Sequence, residues 1–141
     1  SLVEALGETR RVEAAAPLMT LIDDPDSDVR WSVARGFGLI QSKKSLSPLL
    51  KMLNDSDPNV RSSAAVSLGH LGFEEAIDPL ISALQDSETK VVDSVAAALT
   101  EIGSPQVREK LQRLFPTLDV SLKETVRHIL DEIHARYPMV L

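Results

Sequence analysis

Apolar residues fall along this chain in stripes at helical spacing. Val29, Val33, Phe37 and Ile40 stand at i, i+4, i+8 and i+11, which puts them on one face of an α-helix. The stripe returns at a fixed distance. Val29, Val60 and Val91 are 31 residues apart, as are Ala34, Ala65 and Ala96, and as are Phe37, Leu68 and Leu99. Upstream, Pro17, Pro48 and Pro79 keep the same spacing, each followed by a leucine (Leu18, Leu49, Leu80), and Asp24, Asp55 and Asp86 recur in step. Self-similarity at a period of about 20–50 residues is the mark of stacked structural repeats.

Each repeat reads as two helices. The second begins after an acidic, turn-forming stretch (DDPDSD, NDSDPN, QDSET), where Asp and Ser side chains can accept from exposed backbone amides. It ends near Gly72 and Gly103 in two units. The first helix carries Leu18, Leu21 and Ile22, then Leu49, Met52 and Leu53, then Leu80, Ala83 and Leu84. The repeated proline sits early in it and is expected to kink or tighten the first turns, because it has no amide to donate.

The register predicts full repeats at 10–40, 41–71 and 72–102. Backward, it puts Val3 and Leu6 in the stripe, so residues 1–9 read as the tail of a second helix. The chain is then expected to be a piece of a longer array, or one that has lost its N-terminal cap. Forward, Leu122, Leu130 and Ile133 continue the stripe in a divergent capping repeat over 103–141. Its first helix opens at Ser104 and Pro105, and its last runs over about 120–137. The apolar tail 138–141 is expected to fold over the last layer or to dock into another chain.

The predicted fold is therefore all-α: one solenoid of antiparallel helix pairs. No pair can bury both its faces alone, so each must stack on its neighbours. Helices packed about 8–10 Å apart make four units a curved slab roughly 35–40 Å long. Ala34, Ala65 and Ala96 allow close approach between layers, and a charge at any of them is expected to collapse the stack.

Composition narrows the function classes. The chain has 141 residues, 43% of them apolar, which suffices for a core. No run of about eighteen apolar residues occurs, and the first residues lack the apolar core of a signal peptide. Without cysteine there are no disulfides, thiolate metal sites or thiol nucleophiles. A cytoplasmic location and no membrane contact are the expectation. Net charge is −6, with −1 over residues 1–72 (eight Lys/Arg, nine Asp/Glu) and −5 over 73–141 (seven and twelve). That balance and only 4% aromatics argue against nucleic acid as partner.

The recurring pattern is an Asp turn followed by x-Val-Arg-x-x-Ala-x-x-x-Leu-Gly-x-Leu-Gly. It is clearest in DPNVRSSAAVSLGHLG at 57–72 and resembles the HEAT repeats, in the short form named after phycobilisome lyases. Tetratricopeptide and ankyrin signatures are missing. The resemblance implies a right-handed superhelix with the second helices on its concave side. It also implies Asp–Arg pairs within and between layers, matched by Asp26 with Arg30 and Asp57 with Arg61. Val92 stands where the third arginine is expected, so the ladder should break there.

Catalytic chemistry is hard to find. His70, His128 and His134 form no His-x-x-x-His pair, and the His-Glu dipeptides that hold iron in the deoxyhypusine hydroxylase branch of this superfamily are absent. His128 and Glu132, at i and i+4, read as a surface pair. Ser32, Ser63 and Ser94 repeat in register, which marks them as structural or surface-lining. Gly36 and Gly38, inside a helix, read as packing positions. No catalytic, cofactor or metal site is expected. One row does vary from unit to unit while the core stays constant: Trp31, Arg35 and Leu39, then Ser62, Val66 and His70, then Asp93, Ala97 and Glu101, then Glu124, His128 and Glu132. It grades from aromatic and basic to acidic and should line the concave face. Trp31 and Arg35 are residue types common at binding hot spots. In the competing reading Trp31 packs on a preceding layer. The function expected is a scaffold that binds a protein or peptide on that face. The alternative is a subunit of a bilin lyase or isomerase, as the repeat's name suggests.

Overall fold

A computed structural model describes residues 13–138. Residues 1–9, read above as a partial repeat, and the tail beyond Pro138 lie outside the described residues. Helix α1 covers residues 13–19, α2 Ser27–Leu39, α3 Leu46–Met52, α4 Pro58–Leu71, α5 Ile77–Ala83, α6 Thr89–Ile102, α7 Pro105–Leu114 and α8 Val120–Arg136. Among the described residues there is no strand. The chain is an α-solenoid.

Local chemistry explains the helix ends. Asp26 accepts from the Asp28 amide at 2.9 Å, Asp57 from Asn59 at 2.7 Å, and Asp119 from Leu122 at 2.9 Å. These caps sit 31 or 62 residues apart, and the intervening register position, Glu88, makes no side-chain cap. A shorter carboxylate arm reaches its own helix start better than a longer one. Gly72 (φ 69°) and Gly103 (φ 52°) end α4 and α6 in the left-handed conformation that glycine adopts without steric cost. Pro48 and Pro79 occupy the third position of α3 and α5, where the amide has no intrahelical partner to lose. Each of these helices follows directly on a 3-10 turn, Lys43–Ser45 or Glu74–Ala76. The tightening expected from the prolines is present. Ser104 does precede α7, yet its hydroxyl makes no cap and is buried without a partner. Pro105, which needs no acceptor at the first helical position, starts that helix instead.

The repeated stripe is the core. Val33, Ala34, Phe37, Val60, Ala65, Leu68, Val91 and Leu99 are all buried, together with Leu49, Met52, Leu80 and Leu84 of the first helices. Leu21 departs from expectation and is exposed, because α1 ends at residue 19 and Leu21 lies in the turn beyond it. Val29 and Ala96 are half-buried.

Stacking is closest between second helices. A Cβ on Gly69 would lie 2.8 Å from the Cα and Cβ of Ala98, and one on Gly38 would lie 2.8 Å from the Cβ of Ser67. The backbones of α2, α4 and α6 thus touch through glycine. Ser67 fixes the contact between α2 and α4 by donating to the Ala34 carbonyl at 2.8 Å inside the core. The short first helices α3 and α5 touch each other little, so the layers are joined chiefly through the second helices. At the last layer the pattern changes: Thr100 and Ile129 occupy the register positions of Gly69 and Ala98. Helix α8 accordingly packs less closely on α6 than α6 does on α4.

Candidate functional site

The exposed face of the second helices carries two clefts. The first, about 340 Å³, is built by two helices one layer apart: Trp31, Arg35 and Leu39 come from α2 and Ser62, Val66 and His70 from α4. Helical spacing puts each trio on one face, and the glycine contacts at Gly38 bring the two faces together. The floor is polar backbone and small side chains, Gly38, Ser63 and Ser67. Its walls are apolar and open. Leu39 is 78% exposed, with Val66 and Trp31 exposed beside it. The Arg35 guanidinium lies over the Trp31 ring, 4.9 Å from its centroid, a cation–π contact that holds both side chains at the rim.

His70 closes the cleft on the other side. Its Nδ1 lies 2.9 Å from Oε1 of Glu101, one layer on. About two turns nearer the start of the same two helices, the hydroxyls of Ser62 and Ser94 meet across the layers.

The second cleft, about 410 Å³, lies between α6 and α8. Asp93, Ala97 and Glu101 line it with His128, Glu132 and Arg136. The twelve residues of the row singled out from sequence therefore do not form one continuous groove. Six line the first cleft, five line the second (Asp93, Ala97, Glu101, His128 and Glu132) and Glu124 lines neither, with the His70–Glu101 pair between the two clefts. The competing reading, in which Trp31 packs on a preceding layer, falls on residues outside the described part of the chain.

A charged ladder runs along the turn edge of the stack. Arg30 pairs with Asp55 of the next layer through Nε at 2.9 Å and Nη2 at 3.1 Å, and its Nη1 donates to the Asp24 carbonyl at 2.7 Å. Arg61 repeats the arrangement: Nε and Nη2 contact Asp86 at 2.8 and 3.1 Å, and Nη1 donates to the Asp55 carbonyl at 2.9 Å. The expected pairs, Asp26 with Arg30 and Asp57 with Arg61, are not the ones formed. Asp26 and Asp57 are committed to capping their own helices, which leaves Asp55 and Asp86 to take the fork. Both ion pairs are largely buried. The hydrogen bonds to Asp55 and Asp86 raise the pKa of Arg30 and Arg61 against the opposing effect of burial. Burial pushes the Asp86 carboxyl up, but the Arg61 hydrogen bond, the Glu88 backbone amide and the guanidinium charge reverse this and hold it below the ordinary value.

The ladder does break at Val92. Its counterpart is lost as well, because Thr117 stands 31 residues after Asp86. A cleft of about 710 Å³ opens at that seam.

Three features escaped the sequence pattern. The cleft at the broken rung is one, and the buried Ser67 bridge is another. The third is the end of α8, where the Tyr137 ring lies against Gly103, its hydroxyl donates to the Glu101 carbonyl at 3.4 Å, and Arg108 donates to the Tyr137 carbonyl. Only the recurrence of Asp at 24, 55 and 86, with Thr117 next in step, signalled the first.

Among the described residues no three His, Asp or Glu side chains converge to hold a metal ion, and no helix is long and apolar enough to cross a membrane. The sequence profile of the HEAT repeats matches residues 1–68 and again 46–128. This chain belongs to the HEAT-repeat family. No curated protein matches it by sequence. Among solved structures it is similar to human deoxyhypusine hydroxylase in complex with glycerol: TM-score 0.72 at 20% identity over 96% of this chain. The chain spans 47% of that enzyme's length, about half. An engineered protein superposes with a TM-score of 0.54 at 24% identity, over 84% of this chain and 61% of its own. At these identities the similarity is one of fold.

Proposed function

We propose that this HEAT-repeat chain is a scaffold that docks a segment of a partner protein on its inner face, in the cleft between α2 and α4. One observation carries the reading: a tryptophan is held open at the rim by an arginine, with exposed Leu39 along the same helix and exposed Val66 across a polar floor. Large aromatic and arginine side chains supply most of the binding energy at protein interfaces, and apolar area left in water is what a partner would cover. The chemistry suits a short extended or helical segment with apolar residues for Trp31, Leu39 and Val66 and a carboxylate for Arg35. The rigid stack favours this use, since the cleft's walls are set by core contacts and need little ordering on binding.

The test is a selection of displayed random peptides on the folded chain, followed by affinity measurements of the enriched sequences. Enriched peptides should combine an acidic residue with apolar neighbours. Trp31→Ala and Arg35→Ala should each weaken binding about tenfold or more, the effect of losing a 1.4 kcal/mol contact. Both variants should melt with the parent. Peptides that bind the two variants as well as the parent would place recognition elsewhere.

A further inference from the structure

We propose that the gap left by the third rung of the ladder is a socket for an arginine side chain of a partner polypeptide. The two intact rungs define what this edge of the repeat binds. In each, a planar guanidinium bridges two layers, with two nitrogens on one carboxylate and a third on the carbonyl of the aspartate one repeat earlier. At the third seam the chain supplies no guanidinium, since Val92 takes the arginine's place and is too short to cross the seam.

The acceptors are only partly removed. The Asp86 carbonyl stands in register with those of Asp24 and Asp55 and accepts no hydrogen bond among the described residues. The Asp119 carboxylate caps its own helix through Oδ1, as Asp26 and Asp57 do, so only its Oδ2 is open to a ligand. Asp93, on α6, has no hydrogen-bond or ion-pair partner among the described residues. No cationic side chain lines the cleft. Its volume, about 710 Å³, admits an arginine with its flanking backbone, and Val92, Leu118 and Leu122 offer apolar surface to the methylene stem.

The carboxylates of Asp93, on α6, and Asp119, at the start of α8, together with the Asp86 carbonyl, form a divided set of acceptors. A guanidinium meets such a set with several donors in one plane, whereas an ammonium is a point charge. Arginine is therefore the expected ligand and lysine the weaker one. This site lies on the turn edge of the stack, so it stands or falls separately from the Trp31 cleft.

The test is an amide chemical-shift titration of the chain with the blocked peptide acetyl-Gly-Arg-Gly-amide, with the lysine peptide alongside. The arginine peptide should shift the amides of Asp86, Ser87, Asp93 and Asp119 and bind more tightly than the lysine peptide. Val92→Arg combined with Thr117→Asp rebuilds the rung from within. It should raise the melting temperature and weaken the peptide about tenfold or more. Asp93→Asn, on an exposed position that the fold does not need, should weaken the peptide without changing the melt. Equal binding of the two peptides, shifts confined to other surfaces, or undiminished binding by both variants would overturn the proposal. A concentration-dependent dimer of the parent that disappears in the rebuilt variant would assign the arginine to a second copy of this chain and overturn the partner assignment.

Discussion

The guanidinium of Arg61 reaches forward to the carboxylate of Asp86 at 2.8 Å and back to the carbonyl of Asp55 at 2.9 Å, so one side chain joins two layers of the stack. Arg30 and Asp55 do the same one repeat earlier. The ladder is a register device: a layer that slid by one helical turn would lose the fork geometry at every rung.

Breaking a rung should therefore cost more than an exposed pair would. Arg61 and Asp86 are largely buried, so Arg61→Ala leaves a carboxylate in the seam without its partner. We expect a loss of about 2 kcal/mol, below the 3–5 of a fully buried pair because water still reaches the site. A double-mutant cycle with Asp86→Asn, read by urea denaturation, should give a favourable coupling between the two. Additive losses would remove the rung from the account.

The same pair sets an acid limit. The Asp86 pKa lies below its ordinary 3.8 in the folded chain. A carboxyl depressed on folding contributes stability that is full above the ordinary value and is lost as pH falls through the folded value. The melting-temperature advantage of the parent over Arg61→Gln should thus hold at neutral pH and shrink below about pH 4. An advantage unchanged down to about pH 2 would contradict it.

Gly69 should tolerate no side chain. An added methyl would meet the Cα of Ala98 at 2.8 Å, and a backbone cannot swing aside as a side-chain tip can. The helix-propensity gain of Gly69→Ala, about 1 kcal/mol, is expected to be outweighed by an overpacking cost of about 1–3 kcal/mol. Gly36→Ala would meet only the tip of Leu18, and it should be neutral or stabilising. Thermal melts of the two variants compare the sites directly.

The joint between α6 and α8 is the loose one. It lacks the rung, it carries Thr100 where glycine allows contact in the layer before, and clefts open at both its edges. In native-state hydrogen exchange the amides of Val126–Ile133 should open at lower free energy than those of Ala64–Leu68. Equal protection would mean that the last layer is held as firmly as the others.

Much of this was legible in the chain. A period of 31 and a helical stripe were enough for the helix pairs, the buried valines and the glycine caps, because burial and capping leave periodic marks. The Asp–Arg ladder was visible as residue types but not as pairs. Asp26 and Asp57 lie closer in sequence to the arginines than Asp55 and Asp86 do, and only the fold reveals that capping has already claimed them. The variable row stands out in the sequence by its changes within a constant frame. Its division into two clefts does not, since that depends on how far α8 stands from α6. Leu21 was misplaced because α1 ends two residues earlier in register than α3, where Met52 takes the matching place inside the helix.

The docking claim is tested most directly by amide chemical shifts of the chain with a selected peptide bound. Shifts should gather at Trp31, Arg35, Ser62, Val66 and His70, and they should vanish with Trp31→Ala. Shifts centred instead on the outer helices, around Lys51 and Asp78, would contradict the account.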